Sequence, residues 1–193
     1  MSVIPFIEGN RVLEIGHGPG HLQRALLSRG LVAVGIDESA QMGRLAKRNL
    51  ARRSSLRASR QSLALSPSHP RFDYTHINLA SGLAQQLPFL NEAFDTIVAT
   101  FPTEYITDVN TLVEVKRCLA HGGKFIVLPV AWPKSRVLDW LFRVTHQAPQ
   151  EALEIVKSKL REPFVRAGFE TEVRTLDVRS GILLIVLARK QLG

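Results

Sequence analysis

The segment Val12–Leu22 reads VLEIGHGPGHL, and the order of residue types in it decides the fold. Arg11–Gly16, RVLEIG, has the length and apolar content of a short buried strand that ends in a glycine turn. Gly16, Gly18 and Gly20 then alternate. Glycine lets the main chain turn sharply and approach a ligand with no Cβ in the way. From Gly20 to Arg29, Leu22, Ala25, Leu26 and Leu27 fall at helical spacing, and Gly30 stops the run. The start of such a helix offers free N–H groups beside the turn. Twenty-one residues after Gly16, Asp37 closes a second apolar strand, Leu31–Asp37 (LVAVGID). A carboxylate there can accept both hydroxyls of a ribose.

Two ligand types compete for this turn, beside the bland alternative of a tight turn with no ligand. A dinucleotide turn needs a small residue at the sixth position for close helix–strand packing. Counting from Gly16 that residue is His21, and from Gly18 it is Gln23. Neither is small, which disfavours a nicotinamide-dependent oxidoreductase. The tighter G-x-G-x-G, with Glu14 two residues before it, suits a nucleoside that carries an amino-acid tail and no pyrophosphate.

Outward from this core, Ser39 caps a helix running through Met42, Leu45, Ala46 and Leu50. Serines, prolines and arginines over 54–70 read as a flexible insertion within the domain. Arg71–Asn78 and Ala93–Phe101 read as the third and fourth strands. Thr107–Leu119 is a helix with Gly122 and Gly123 just past its end, and Lys124–Val130 the fifth strand. Gln150–Ala167 is a helix closed by Gly168; Glu170–Arg179 and Gly181–Arg189 form a hairpin. Alternating strands and helices followed by a hairpin predict one α/β domain over residues 1–193. It has a Rossmann-like, mostly parallel sheet with a terminal antiparallel hairpin and helices on both faces. Ligands of such sheets bind at the carboxyl ends of the strands.

The composition of the 193 residues, 45% hydrophobic and 22% charged, is that of a globular domain and excludes wholesale disorder. No apolar run is long enough to span a bilayer, and no signal peptide is visible. The single Cys118 rules out an internal disulfide and a multi-cysteine metal site, so a reducing, cytoplasmic setting and no metal are expected. The net charge of +8 is concentrated: Arg44–Arg60 holds seven basic residues and no acid, while the rest holds 18 basic against 17 acidic. That stretch can meet RNA or anionic lipid phosphates, although it lacks aromatic interleaving for base stacking. The plainer reading is a solvated helix face.

With these segments in order, the sequence resembles the class I S-adenosylmethionine-dependent methyltransferases. Within them it is most similar to the methyltransferase type 11 group, which includes the quinone C-methyltransferases. The resemblance runs from about Arg11 to Arg189. It rests on VLEIGHGPG, on GIDESAQM (Gly35–Met42), on AQQLPFLNEAFDTIVATF (Ala84–Phe101) and on LVEVKRCLAHGGKFIVLPV (Leu112–Val130). It implies a seven-stranded sheet and S-adenosyl-L-methionine as cofactor. By resemblance, Gly16, Gly18 and Gly20 line the methionine part, Glu14 holds its ammonium, and Asp37 takes the ribose hydroxyls. Glu38 flanks the adenine, Ala84 and Gln85 read its edge, and Thr100 with Phe101 faces cofactor and acceptor. Leu83 stands where the family often has an aspartate for the adenine amino group. Only ten residues precede the first strand, so the family's usual N-terminal cap helices are expected to be absent.

Methyl transfer from a sulfonium needs an in-line nucleophile and little else. No catalytic triad shows, and ATFPTEYI replaces the N-P-P-[YF] motif of amino-group methyltransferases. Tyr105 and His17 are the candidates for an acceptor-side role; His21, Glu104 and His146 are further polar groups there. Ser135–Thr145, SRVLDWLFRVT, has little polar face and reads as an edge helix, or as a wall for an apolar acceptor or a peripheral membrane contact. The expected partner is a small, apolar or aromatic acceptor. The rivals are a methyltransferase of RNA or another polyanion, and a cofactor-binding module without transferase activity.

Overall fold

The computed structural model describes residues 3–61, 78–129, 131–132, 149–178 and 181–191. The strands are β1 (Arg11–Ile15), β2 (Val32–Asp37), β3 (Asn78–Ser81), β4 (Phe94–Thr100), β5 (Leu119–Leu128), β6 (Ala131–Trp132), β7 (Phe169–Val178) and β8 (Gly181–Lys190). The helices are α1 (His21–Leu27), α2 (Ala40–Gln61), α3 (Val109–Cys118) and α4 (Pro149–Arg166). One sheet contains all the strands, in the order β3-β2-β1-β4-β5-β8, with β7 on the far side of β8. Strands β1 to β5 pair in parallel, and β8 runs antiparallel to both β5 and β7. The two-residue β6 adds to the seven expected strands and continues the β5 side of β8.

Successive residues along the central strands enter two separate cores, as period-two alternation requires. Leu13, Ile97 and Phe125 join Leu112 and Val115 of α3 and Phe164 of α4 on one face. Val12, Val98 and Ile126 join Leu22 and Leu26 of α1 on the other. Helices therefore cover both faces, as expected.

Three boundaries differ from the sequence reading. First, α2 continues to Gln61, past the start of the insertion expected over 54–70. No proline or glycine falls between Ala51 and Gln61, so nothing in the chain stops the helix there. The rest of that insertion lies outside the described residues, as does Ser135–Thr145. Second, β3 starts at Asn78, where the expected strand ends; 71–77 are outside the described residues. Third, β5 starts at Leu119, directly after α3, so Gly122 and Gly123 lie inside a strand. The β4–β5 register jumps from Phe94↔Leu119 to Thr96↔Lys124, which makes a bulge. Gly123 is required in it: a Cβ there would stand 2.8 Å from the Ala120 carbonyl oxygen.

A polar clamp fixes the chain before β4. Glu114 of α3 accepts from the Leu87 N–H at 2.8 Å, and Arg117 donates to the carbonyls of Leu87 and Phe89. The two side chains also pair with each other. The acidic and basic residues of the LVEVKR segment thus tie the LPF turn to the helix.

Candidate active site

The carboxyl ends of β1, β2 and β4 converge on the glycine turn. Gly16, Gly18 and Gly20 all have positive φ, at 72°, 50° and 81°. L-residues rarely adopt this conformation, so the alternation of glycines in the sequence is a backbone requirement. The Gly16 N–H donates to the Ile36 carbonyl at 2.8 Å, which ties the turn to β2. A Cβ on Gly18 would meet nothing within 4 Å, so this part of the turn faces open space. A Cβ on Gly16 would stand 2.7 Å from the Tyr105 hydroxyl.

Asp37 ends β2 beside the turn. One carboxylate oxygen accepts from the Gly18 N–H and the other from the Ser39 N–H, both at 2.8 Å. Ser39 in turn caps α2 through the Met42 N–H, as its sequence position predicts. Glu38 is exposed next to it.

Glu14 is 1% exposed, beneath the turn. Its side-chain partner is the buried amide of Gln23, at 2.9 Å, which also donates to the Val34 carbonyl. Burial with so little compensation pushes the Glu14 carboxyl up to about 8, and the Asp37 charge adds to the effect. The turn therefore covers a carboxyl group that has no cationic partner among the described residues. In the sequence Gln23 counts only against a dinucleotide turn; its bond to Glu14 depends on the packing of α1 and is not legible there.

Tyr105 lies on a 3-10 turn, Glu104–Thr107, just beyond β4. It is half-buried over Gly16, and desolvation with the nearby Asp37 and Glu14 charges raises its phenol to about 12. The phenol is thus a neutral hydrogen-bonding group at ordinary pH. Thr100 closes β4 and is partly buried. Phe101 follows with φ 53° and is 60% exposed, while its N–H donates to the Leu128 carbonyl. A bulky residue in the left-handed region is a local strain of the kind that gathers at functional sites. Its conformation was not legible in the sequence.

Ala84 is buried and packs into the core shared with α3; Gln85 beside it is partly exposed, and Leu83 faces outward. The turn that carries them is anchored to the site by the Gly82 N–H, which donates to the Asp37 carbonyl. His17 is buried behind the turn, and its Nδ1 lies 2.8 Å from the Gly18 carbonyl oxygen. His21 is exposed at the start of α1. No group of three metal-ligating side chains occurs among the described residues.

The family model described as a methyltransferase domain matches residues 13–127, from within β1 nearly to the end of β5. The chain belongs to the methyltransferase domain family. S-adenosylmethionine is the cofactor of this class I family. The chain's own residues fit it: an open glycine turn, a carboxylate at the end of β2 beside it and a buried carboxyl with no cationic partner among the described residues. An uncharacterized methyltransferase of Anoxybacillus flavithermus is 30% identical over 127 residues, which are 64% of this chain and 49% of that protein. A ubiquinone biosynthesis O-methyltransferase of Agrobacterium fabrum is 25% identical over 180 residues, 88% of this chain and 63% of its own. This methyltransferase domain therefore spans about half to two thirds of the length of these relatives. In fold it is similar to a crystal structure of a SAM-dependent methyltransferase from Methanosarcina mazei. The TM-score is 0.59 at 18% identity, covering 100% of this chain and 99% of that one.

Proposed function

We propose that this domain transfers a methyl group from S-adenosylmethionine to a small, apolar or aromatic acceptor. The observation that carries the donor side is the open glycine turn set between buried Glu14 and Asp37. In this reading Glu14 ionises to hold the cofactor ammonium, displacing its proton, and Asp37 takes the ribose hydroxyls. Gly16, Gly18 and Gly20 keep the approach to the methionine part free of side chains, Glu38 flanks the adenine, and Ala84 with Gln85 lines its edge. When bound, S-adenosylmethionine supplies an electrophilic methyl carbon and leaves as the thioether S-adenosylhomocysteine. The acceptor would supply the electron pair of the new bond to that methyl, the sulfur would keep the pair of the bond it loses, and the acceptor proton would pass to solvent. Tyr105 stays protonated and orients the acceptor by hydrogen bonding. Thr100 and Phe101 border the acceptor approach, and the exposed ring of Phe101 offers a flat apolar face.

The resemblance to a ubiquinone biosynthesis enzyme supports a phenol or quinol as the first acceptor to try. The test is calorimetric titration with S-adenosylmethionine and, in parallel, NAD, followed by turnover with lipophilic phenols and quinols. Micromolar binding of the first ligand alone supports the reading; binding of NAD alone overturns it.

One observation favours a second reading, a polyanionic acceptor. The basic stretch starts as the exposed face of α2, with Arg44, Lys47 and Arg48 all solvent-facing, and α2 starts three residues after Asp37. A steep fall in RNA binding with added salt would support that reading.

A further inference from the structure

His17 lies in the glycine turn, yet its side chain is enclosed. The residue is 2% exposed, and its Nε2 is buried with no hydrogen-bond partner among the described residues. The ring occupies a space that exists only because residue 35 of β2 is glycine. A Cβ there would stand 3.0 Å from His17 Cδ2, 3.1 Å from His17 Cβ and 2.8 Å from Leu79 Cδ2.

The hydrogen bond at the other ring nitrogen fixes the chemistry. Gly18 O is a carbonyl and only accepts, so His17 Nδ1 carries the proton. In a neutral imidazole Nε2 is then a bare lone pair. Nε2 is enclosed and meets no hydrogen-bond partner among the described residues.

Gly18 is gripped from two sides. Its carbonyl accepts from His17 Nδ1, and its N–H donates to Asp37 Oδ2, each at 2.8 Å. Its φ of 50° needs such support, because a glycine left free samples many conformations. Asp37 is the residue that the proposed function assigns to the ribose hydroxyls.

We propose that His17 is a positioning residue: its Nδ1–H pins the Gly18 carbonyl from beneath and so presets the glycine turn and Asp37 for the cofactor. This rests on the reading of the turn as the S-adenosylmethionine cradle.

Two measurements test it. Nitrogen NMR of the imidazole in ligand-free wild-type protein at neutral pH should show a protonated Nδ1 and a bare Nε2. A ring protonated on Nε2 overturns the proposal. The second is calorimetry with S-adenosylhomocysteine on wild type, His17→Asn, His17→Gln and His17→Leu, with a melting curve for each. The Asn amide can stand where Nδ1 stands, the Gln amide where Nε2 stands, and Leu fills space without a donor. His17→Asn should bind within about twofold of wild type. The Gln and Leu variants should bind roughly tenfold more weakly, the order that one hydrogen bond contributes, at similar melting temperatures. Wild-type affinity in His17→Leu, or an equal loss in His17→Asn and His17→Leu, reduces His17 to packing and overturns the proposal. Wild-type protein with the Nδ1 tautomer that binds no S-adenosylhomocysteine overturns it through the cofactor reading. Binding with the Nε2 tautomer overturns it alone.

Discussion

Two carboxyl groups at neighbouring strand ends behave differently because their partners differ. Asp37 is partly exposed and receives the backbone N–H groups of Gly18 and Ser39, whereas Glu14 is sealed in with only the neutral side-chain and backbone donors of Gln23. Each position was legible, since Glu14 precedes the glycines by two residues and Asp37 ends a strand. The burial and the Gln23 partner of Glu14 were not, because they depend on how α1 packs on β1. The folded value of Glu14, about 8, lies above the ordinary 4.5. Its neutral form therefore favours the fold, a contribution complete below about 4.5 and lost as pH rises through about 8. Glu14→Gln should flatten that decline, seen in melting temperatures recorded across this range, while abolishing cofactor affinity. Binding to wild type should release a proton at neutral pH, which calorimetry in buffers of different ionisation enthalpy reads directly. A heat independent of buffer would show that Glu14 does not change state. Asp37→Ala should weaken S-adenosylmethionine binding by roughly 1–3 kcal/mol, the cost of leaving buried polar groups unpaired. Unchanged affinity by titration would remove the ribose assignment.

The glycine turn and the end of β4 are elements whose backbone, rather than side-chain chemistry, shapes the site. Gly18→Val inserts a branched side chain at φ 50° into open space. It should abolish cofactor binding through crowding and through strain of the turn's backbone, with the fold, followed by circular dichroism, retained; binding at wild-type strength would make the turn purely structural. Phe101 has the opposite character: a bulky residue at φ 53° where glycine would be relaxed. Phe101→Gly should raise thermal stability by about 1 kcal/mol through relief of the left-handed strain. It should leave cofactor affinity unchanged and lower kcat/KM for a planar acceptor; a fall in melting temperature would mean the ring stabilises the fold. Strands β1, β2 and β4 were legible from short apolar runs bounded by glycine or a carboxylate. The bulge of β5 was not, because Gly122 and Gly123 after an amphipathic helix match a helix stop as well as they match a strand. The length of α2 was misread for a related reason: a serine- and arginine-rich stretch has the composition of a loop, yet nothing in it before Gln61 forbids a helix.

At the scale of the whole molecule, one sheet separates two cores, and Cys118 sits fully buried in the core shared by α3 and α4. Burial raises its thiol, so it should react with a disulfide reagent only through opening of the fold. The reaction rate should therefore rise with denaturant along the unfolding curve and be slowed by S-adenosylmethionine. Prompt labelling of the native protein would show that α3 opens on its own. The described helices include none long and apolar enough to cross a membrane. The sequence alone determined the α/β class, the mostly parallel sheet with its antiparallel end and the glycine turn with its two carboxylates. Each rests on local rules of period, turn conformation and residue type that act over a few neighbours. Only the tertiary structure decided that Glu14 is buried against Gln23, that His17 lies behind the turn over Gly35, that Tyr105 stands over Gly16 and that Phe101 is strained. Those facts join residues as far as 89 positions apart in the chain, from Gly16 to Tyr105, and such contacts arise only when strands and helices pack.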